Sequence, residues 1–410
     1  MKAPYCDVSC VKKYFNDLYG DKVSGQYERY ERAFSEFKRL FGEESCYIAS
    51  SSGRVELLGN HTDHNGGRVL SCAISLDTLA FFTPCNGEIR LFSEGYGEIK
   101  VGLSDTKPVK KGTSAALIKG VAEGFKNYEL KAGGFNAYVT SSVLNGSGVS
   151  SSASFEVLIC EIFNFLYNDG AVSCELKAKI SQFAERDYFG KPCGLLDQTA
   201  IAYGGLNKLD FGDKDKIKVE RIDEKLRDYT LFLINTGSSH ENLTNEYASI
   251  PAEMKTVAGA FGKERLIELD ESEFYAREDI IKKLPDRAVA RAIHFFDENK
   301  RVDRAAESLL KKDFSAFLDC VRESGISSLC KLQNCYVGGS NEQLVPRALF
   351  ITEKFLNGGA NRVHGGGFGG TILNIVENKN AEFFLKSASR FFGKENVIEL
   401  KIRNIGTIVL

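Results

Sequence analysis

Apolar and polar residues along the chain follow two periodicities, one typical of helices and one of strands. From Val11 to Phe41, apolar residues recur at helical spacing among charged ones, which predicts one or two amphipathic helices. Runs rich in β-branched and aromatic residues then predict strands at 46–50, 69–75, 78–83 and 88–93. The pattern indicates a domain that begins with helices and continues with a β-rich segment.

The remaining segments mix helices and strands. Helical spacing over 113–126 leads to the strand-like run GFNAYVTSSVL, and FEVLICEIFNFLY is apolar all round, as expected of a buried helix. After the β-rich run DYTLFLINTGSS, helical patterns dominate over 253–355, and a glycine cluster then opens into the strand TILNIV. We therefore predict an α+β protein with two domains, 1–205 and 206–410, divided near the charged stretch DFGDKDKIKVERIDEKLRD.

Composition narrows the class of protein. A chain of 410 residues is long for a single core, and 53 basic against 55 acidic residues give a net charge of -2, which does not suit binding to a nucleic-acid polymer. The eleven cysteines lack the paired spacing of zinc or redox motifs. Neither a signal-peptide core nor a run of about 18 apolar residues is evident. We expect a soluble, cytoplasmic monomer without nucleic-acid or membrane partners.

The segment NGSGVSSSAS has the layout of an anion site. Gly146 and Gly148 allow a tight turn, and Ser150, Ser151 and Ser152 stand directly before the buried helix. Free N–H groups and the positive dipole at a helix start favour phosphate, and the hydroxyls could add donors or reach a metal ion. A helix cap needs only one serine. We predict a phosphate site, although the segment is neither a Walker A loop nor a dinucleotide fingerprint.

Another polar cluster lies in GRVELLGNHTDHNGG, residues 53–67. It brings Arg54, Asn60, His61 and Asp63 together between two apolar runs. Polar side chains bounded in this way are typical of a binding loop held by a rigid frame. The stretch therefore predicts polar side chains held in place by a rigid frame.

Two further segments leave alternatives open. Glu185 and Asp197 lie in the largely apolar segment FAERDYFGKPCGLLDQTAIAYGG, with Gly194 just before LLDQ. Taken alone, such a carboxylate is more often a helix cap than a functional group. Five glycines within six positions, 365–370, indicate either close approach of the backbone to a ligand or a tight turn into the next strand.

Taken together and in order, GRVELLGNHTDHNGG, NGSGVSSSAS and RVHGGGFGGT resemble the three signature segments of the GHMP small-molecule kinases. The first resembles the galactokinase branch, and KPCGLLDQ and NTGSSHENLTNEY fall where galactokinases carry sugar and active-site residues. The resemblance implies a two-domain GHMP kinase fold, with an N-terminal domain like ribosomal protein S5 and a ferredoxin-like C-terminal domain. It also implies phosphorylation of the C1 hydroxyl of galactose, with ATP and Mg²⁺ bound in the cleft.

Site residues follow from the same resemblance. It implies that Asp197 and Arg54 are catalytic. The implied sugar-binding set is Arg54, Asn60, His61, Asp63, Gly194, Asp197 and Tyr247. The implied ATP-binding set is Gly146, Gly148, Ser150, Ser151, Ser152, Gly365, Gly366 and Gly367. The implied Mg²⁺ ligands are Glu185 with Ser151 or Ser152.

Two positions depart from the galactokinase pattern. Asn60 replaces a Glu that is implied to bind the C6 hydroxyl of the sugar, and His64 replaces a Tyr. Galactose remains the expected substrate, with galacturonate or another galactose modified at C6 as the alternative. A sensor that binds galactose and ATP without turnover is less expected, because the serine segment is intact. We assign no catalysis to the dispersed His240, His294 and His364.

Overall fold

The structure is a computed structural model that describes residues 3–21, 23–104, 109–143, 148–224, 226–237 and 244–410. Its strands are β1 (Tyr47–Leu58), β2 (Arg68–Pro84), β3 (Glu88–Ser93), β4 (Gly97–Gly102), β5 (Phe135–Ser141), β6 (Leu206–Asp210), β7 (Lys218–Ile222), β8 (Tyr229–Asn235), β9 (Ala360–His364), β10 (Thr371–Glu377), β11 (Val397–Leu400) and β12 (Ile408–Val409). Its helices are α1 (Phe15–Tyr19), α2 (Gln26–Phe41), α3 (Ser114–Asn127), α4 (Ser151–Tyr167), α5 (Cys174–Phe183), α6 (Leu196–Tyr203), α7 (Thr244–Ala260), α8 (Glu271–Ala276), α9 (Glu278–Ile281), α10 (Asp286–Leu310), α11 (Phe314–Ser327), α12 (Leu344–Glu353) and α13 (Asn378–Phe392).

The first sheet has eight strands, in the order β12-β1-β2-β5-β3-β4, with β6 paired to β2 and β7 paired to β6. Its pairs are antiparallel except β3 with β5. Strand β2 is long enough to serve two neighbours on one edge, β6 near its start and β5 near its end, while β1 runs along the other edge. Strand β1 therefore lies between β2 and the short edge strand β12.

The observed strands differ from the sequence-based prediction in several places, and β6, β7, β9, β11 and β12 were not predicted. The runs 69–75 and 78–83 form one strand, because Asp77, the polar break between them, is buried and bonded to Tyr19 at 2.8 Å and Arg29 at 2.6 Å. Strand β1, predicted to end at Ser50, continues to Leu58. The strand β4 was not predicted, because its sequence, GEIKVG, has too few apolar residues.

The second sheet has four antiparallel strands in the order β11-β8-β10-β9. Along the chain, β8 is followed by helices, then by the β9–β10 pair, α13 and β11, which is the ferredoxin-like arrangement. The predicted ferredoxin-like C-terminal fold is therefore confirmed.

The change from one sheet to the other comes later than the predicted division after residue 205. Strands β6 and β7 follow that position but pair with the first sheet, so the chain changes sheets between Ile222 and Tyr229. The division into folding units at 1–205 and 206–410 stays a prediction. One buried cluster joins the sheets, since it contains Leu70 of β2 together with Leu233 and Leu373 of the second sheet.

Helix α4 confirms the predicted buried helix. It runs from Ser151 to Tyr167, so it begins within the serine segment rather than after Ser152 as predicted, and Val157, Leu158 and Ile159 are fully buried. Among the described residues, no helix is long and apolar enough to cross a membrane. The start of α4 lies beside β1 and therefore next to the polar stretch that begins in that strand.

Candidate active site

An arginine and a carboxylate form the centre of the site. Arg54, on β1, donates from Nε to Asp197 Oδ1 at 2.7 Å and from Nη1 to the carbonyl of Gly148. Asp197 lies in the first turn of α6, and its other oxygen accepts a hydrogen bond from the Ser150 hydroxyl. The Arg54 side chain is 7% exposed and that of Asp197 is 30% exposed, so the carboxylate remains accessible. Three separate sequence segments thus meet at one carboxylate.

The environment of Asp197 keeps it ionised. Burial alone would raise its pKa, but attraction to Arg54 and the hydrogen bonds from Ser150 and Arg54 outweigh burial, so the pKa is lowered. At neutral pH the group is a charged hydrogen-bond acceptor. The carboxylate is suited to orienting a hydroxyl. Because its pKa is low, it is a weak base, and it can take the proton only once the hydroxyl has become more acidic during the reaction.

The turn at residues 148–152, here called the serine turn, differs from the simple helix cap that one serine would provide. Ser150 is the N-cap residue of α4, but it adopts a left-handed conformation (φ 65°) and its side chain makes no cap hydrogen bond. Gly148 also has a positive φ of 72°, and a Cβ there would lie 2.7 Å from Thr371 Oγ1. The turn therefore packs closely against β10 of the second sheet, and a residue larger than glycine would not fit at position 148. Gly146, the other predicted glycine, lies outside the described residues.

A second carboxylate, Glu185, lies in the π-helical turn Ala184–Phe189 and is 1% exposed. Its Oε1 accepts hydrogen bonds from Ser152 at 2.8 Å and from Lys191 at 2.9 Å, and its Oε2 accepts one from Gln198 at 2.7 Å. Ser151 precedes Ser152 at the start of α4. Of the two serines predicted to reach a metal, Ser152 is the one that contacts Glu185.

The donor set around Glu185 fits Mg²⁺. It supplies a carboxylate and a hydroxyl, both hard oxygen ligands, and the neighbouring Glu156 has a buried oxygen, Oε1, without a hydrogen-bond partner. Burial and the nearby charge of Glu185 raise the pKa of Glu156 well above its ordinary value. The described residues contain no cluster of three or more His, Cys, Asp or Glu side chains that could hold a metal. A cation here would share its coordination with water and ligand oxygens, as Mg²⁺ commonly does.

Residues 59–67 follow directly after β1 and are here called the sugar loop, after the role predicted for them from the sequence. His61 has a positive φ of 58°, and its Nε2 lies 2.9 Å from the carbonyl oxygen of Gly366. Burial, with a further contribution from His64, lowers the pKa of His61 to about 3. His61 is therefore neutral at pH 7, and Nε2 donates its hydrogen to the carbonyl.

Gly194 makes room for Asp63 of the sugar loop. A Cβ at Gly194 would overlap the Asp63 carboxylate, so only glycine allows the two segments to lie this close. The Asp63 side chain is 8% exposed, and its Oδ1 lies 3.7 Å from His64 Nε2. The close approach joins the sugar loop to the segment that carries Asp197.

Asn60 is placed differently from a free sugar-binding amide. It is 1% exposed, and its Nδ2 donates to Glu56 Oε1 at 3.0 Å and to the Gly365 carbonyl at 2.7 Å. Its Oδ1 accepts from Asn334 Nδ2 at 2.7 Å. Arg362 donates to the same Glu56 oxygen at 3.0 Å. The Asn60 side chain therefore links the sugar loop to the second half of the protein.

The predicted glycine segment lies against the sugar loop. The Gly366 carbonyl accepts from His61, and the Gly367 carbonyl accepts from the Tyr247 hydroxyl at 3.0 Å. Side chains at these positions would overlap Tyr247 and Asn334, so close approach explains both glycines. The contacts described for this segment are with the protein, and its contact with ATP stays a prediction.

Several polar residues of the site were missed from the sequence. Asn334 follows a π-helical turn far along the chain, and Glu156 lies in a helix that is otherwise apolar. Lys191 and Gln198 are the two ends of KPCGLLDQ, but the resemblance assigned roles only to Gly194 and Asp197 within it. His364 and His294 are buried and hydrogen-bonded to Glu56 N and the Asn60 carbonyl, which supports their reading as structural residues.

Comparisons with known proteins identify the family to which this fold belongs. The family model "GHMP kinases N terminal domain" matches residues 116–205. The structure of Methanococcus jannaschii mevalonate kinase aligns with a TM-score of 0.61 at 17% identity, over 88% of this chain and 99% of that one. The fold is therefore that of the GHMP small-molecule kinases.

More specific matches narrow the class. The family model "Galactokinase galactose-binding signature" matches residues 35–84. Galactokinase of Clostridium tetani is 32% identical over 88% of this chain and 91% of its own, and human galactokinase is 32% identical over 87% and 90%. A Lactococcus lactis galactokinase structure complexed with galactose shares the fold, with a TM-score of 0.82 at 24% identity over 93% of this chain and 100% of that one. The chain belongs to the galactokinase family.

Proposed function

We propose that this chain transfers the γ-phosphoryl group of ATP to the C1 hydroxyl of galactose, giving galactose 1-phosphate. The observation that supports this most directly is the convergence of Arg54 and Ser150 on Asp197, with Arg54 also bonded to the Gly148 carbonyl. It places an accessible carboxylate beside both the sugar loop and the start of a helix suited to phosphate.

Asp197 would act on the attacking C1 hydroxyl, and Arg54 on the transferred phosphoryl group. The ionised Asp197 would accept the hydrogen bond of the C1 hydroxyl, orient it for attack and take or guide its proton as the new bond forms. Arg54, fixed by Asp197 and the Gly148 carbonyl, would offset the charge that develops on the phosphoryl group. Phosphoryl transfer depends mainly on such alignment and charge compensation.

The nucleotide phosphates would lie at the start of α4, near Gly148 and Ser150–Ser152, with Gly146 and the segment 365–367 completing the predicted set. Glu185 with Ser152 or Ser151 would hold Mg²⁺, which when bound neutralises phosphate charge. Ser152 is favoured because its hydroxyl already lies 2.8 Å from Glu185.

The sugar would lie along the sugar loop. Arg54, His61, Asp63, Gly194, Asp197 and Tyr247 form its proposed wall. Asn60 would contribute mainly by holding that wall in position, because its amide and carbonyl oxygen are bonded to Glu56, Gly365 and Asn334. Monomeric assembly, a cytoplasmic location and the lack of nucleic-acid or membrane partners remain predictions.

The proposal is tested by ADP release with ATP, Mg²⁺ and a panel of free sugars: galactose, galacturonate, L-arabinose and N-acetylgalactosamine. We expect the highest kcat/KM with galactose. A higher value with galacturonate would favour the alternative substrate. Tight galactose binding without turnover on any of these sugars would contradict the kinase proposal and favour a sensor.

A further inference from the structure

Lys191 reaches into the site from the protein surface. It follows the π-helical turn that carries Glu185, and its backbone N–H donates to the Glu185 carbonyl at 3.0 Å. Its Nζ lies 2.9 Å from Glu185 Oε1, although 57% of its side chain is exposed and only 2% of the Glu185 side chain is. The lysine is thus anchored at its backbone, while its long side chain borders solvent.

The ammonium group of Lys191 lies where the proposed Mg²⁺ would bind. Both the ammonium group and the Ser152 hydroxyl donate to Glu185 Oε1. Glu185 Oε1 and the Ser152 hydroxyl oxygen are the two oxygens that fit Mg²⁺. The Lys191 ammonium and the Glu185 carboxylate form an ion pair at 2.9 Å. In the described structure, Lys191 neutralises the metal-binding carboxylate.

Lys191 and Mg²⁺ cannot both remain at this oxygen without strong repulsion. When a metal–nucleotide complex binds, the exposed side chain can rotate away, and the phosphate oxygens are the nearest new anions. An ammonium with three rotatable donors suits such a phosphate. Its movement would require no rearrangement of the backbone.

We propose that Lys191 is a phosphate-binding residue of this enzyme, which neutralises Glu185 before the nucleotide binds and then moves to the nucleotide phosphates. The inference rests on the proposed kinase function. The alternative is a static role, in which Lys191 only supports the position of Glu185. The two roles differ in what removal of the charge does to metal binding and to nucleotide binding.

The test compares wild type, Lys191→Met and Lys191→Arg. The control is Lys311→Met, because Lys311 forms a similar ion pair with Glu307 at 2.6 Å on an exposed helix end. Calorimetry measures the Kd for the Mg²⁺ complex of AMPPNP, a non-hydrolysable ATP analogue. Electron paramagnetic resonance measures Mn²⁺ binding without nucleotide, and urea unfolding checks the fold of each variant.

We expect Lys191→Met to raise the Kd for Mg²⁺–AMPPNP by about tenfold or more, the scale of one charged hydrogen bond. Lys191→Arg should recover most of this loss, and Lys311→Met should match wild type. Mn²⁺ binding by Lys191→Met should be unchanged or tighter.

Unchanged Mg²⁺–AMPPNP binding by Lys191→Met would overturn the inference, and so would weaker Mn²⁺ binding, which would indicate the static role. In either case wild-type binding of the analogue would leave the kinase proposal intact. If wild type itself failed to bind the analogue, both proposals would fall.

Discussion

The replacement Asn60→Glu tests how the sugar loop is held. Asn60 donates two buried hydrogen bonds, to Glu56 Oε1 at 3.0 Å and to the Gly365 carbonyl at 2.7 Å. A glutamate can donate neither when ionised, and it would bring a second carboxylate next to Glu56. The variant therefore removes both donors and adds a repulsion.

The expected loss follows from these two contacts. The Gly365 carbonyl loses its donor, whereas Glu56 Oε1 keeps the hydrogen bond from Arg362. A buried polar group left without its partner costs about 1–3 kcal/mol in the free energy of unfolding, and the repulsion between the two carboxylates adds to this loss. Exchanging the pair, Glu56→Asn with Asn60→Glu, restores a carboxylate and an amide side by side. We expect the exchange to recover at least about 1 kcal/mol relative to the sum of the single variants.

Urea unfolding of wild type, both single variants and the exchanged variant gives this double-mutant cycle. Asn60→Glu as stable as wild type, or a coupling energy near zero, would refute the reasoning. Kinetics on the exchanged variant then test sugar preference with less loss of stability. A shift from galacturonate to galactose on exchange would identify this pair as the selector at C6, whereas galactose leading in both proteins would show a tolerated variation.

Three further predictions concern the site. Asp197→Asn should retain the fold and galactose binding but lower kcat by about 10² or more, because the charged acceptor is lost; ordinary turnover would contradict its role. Gly194→Ala should raise the KM for galactose by about tenfold and leave that for ATP nearly unchanged, because the added methyl overlaps Asp63; unchanged galactose kinetics would show that the position of Asp63 is not needed. The pKa of His61 is lowered to about 3 from a value near 6.5 in the unfolded chain. The contribution of the neutral, buried His61 to the free energy of unfolding is therefore complete above pH 6.5. It declines as the pH falls towards 3, by up to about 1.4 kcal/mol per pH unit. Urea unfolding at pH 7.5 and 5.0 should therefore show a smaller loss in His61→Gln than in wild type, and equal losses would count against the burial of a neutral His61.

The local signals in the sequence predicted much of the fold. The all-apolar run after the serine segment predicted α4. The run TILNIV, which follows the glycine cluster, was predicted as a strand and forms β10. The prediction failed where distant partners decide the outcome. Asp77 interrupts the apolar pattern of β2, yet contacts with Tyr19 and Arg29 keep it within one continuous strand.

The site shows the same limit. Motifs brought attention to Arg54, Glu185 and Asp197, and the structure brings them together around the serine turn. Asn334 could not be found in this way, because its contact with Asn60 spans 274 positions. Lys191 opens the segment KPCGLLDQ but was given no role there, and its contact with Glu185 depends on the π-helical turn between them.

The most direct test of the proposed function is to determine where the phosphate is placed. The protein is incubated with ATP, Mg²⁺ and galactose, and the product is examined by phosphorus–proton correlation NMR alongside ADP measurement. The account predicts one sugar phosphate, with coupling between phosphorus and the proton on C1, formed in equal amount to ADP. A phosphate on any other hydroxyl, or ADP release without a sugar phosphate, would contradict it.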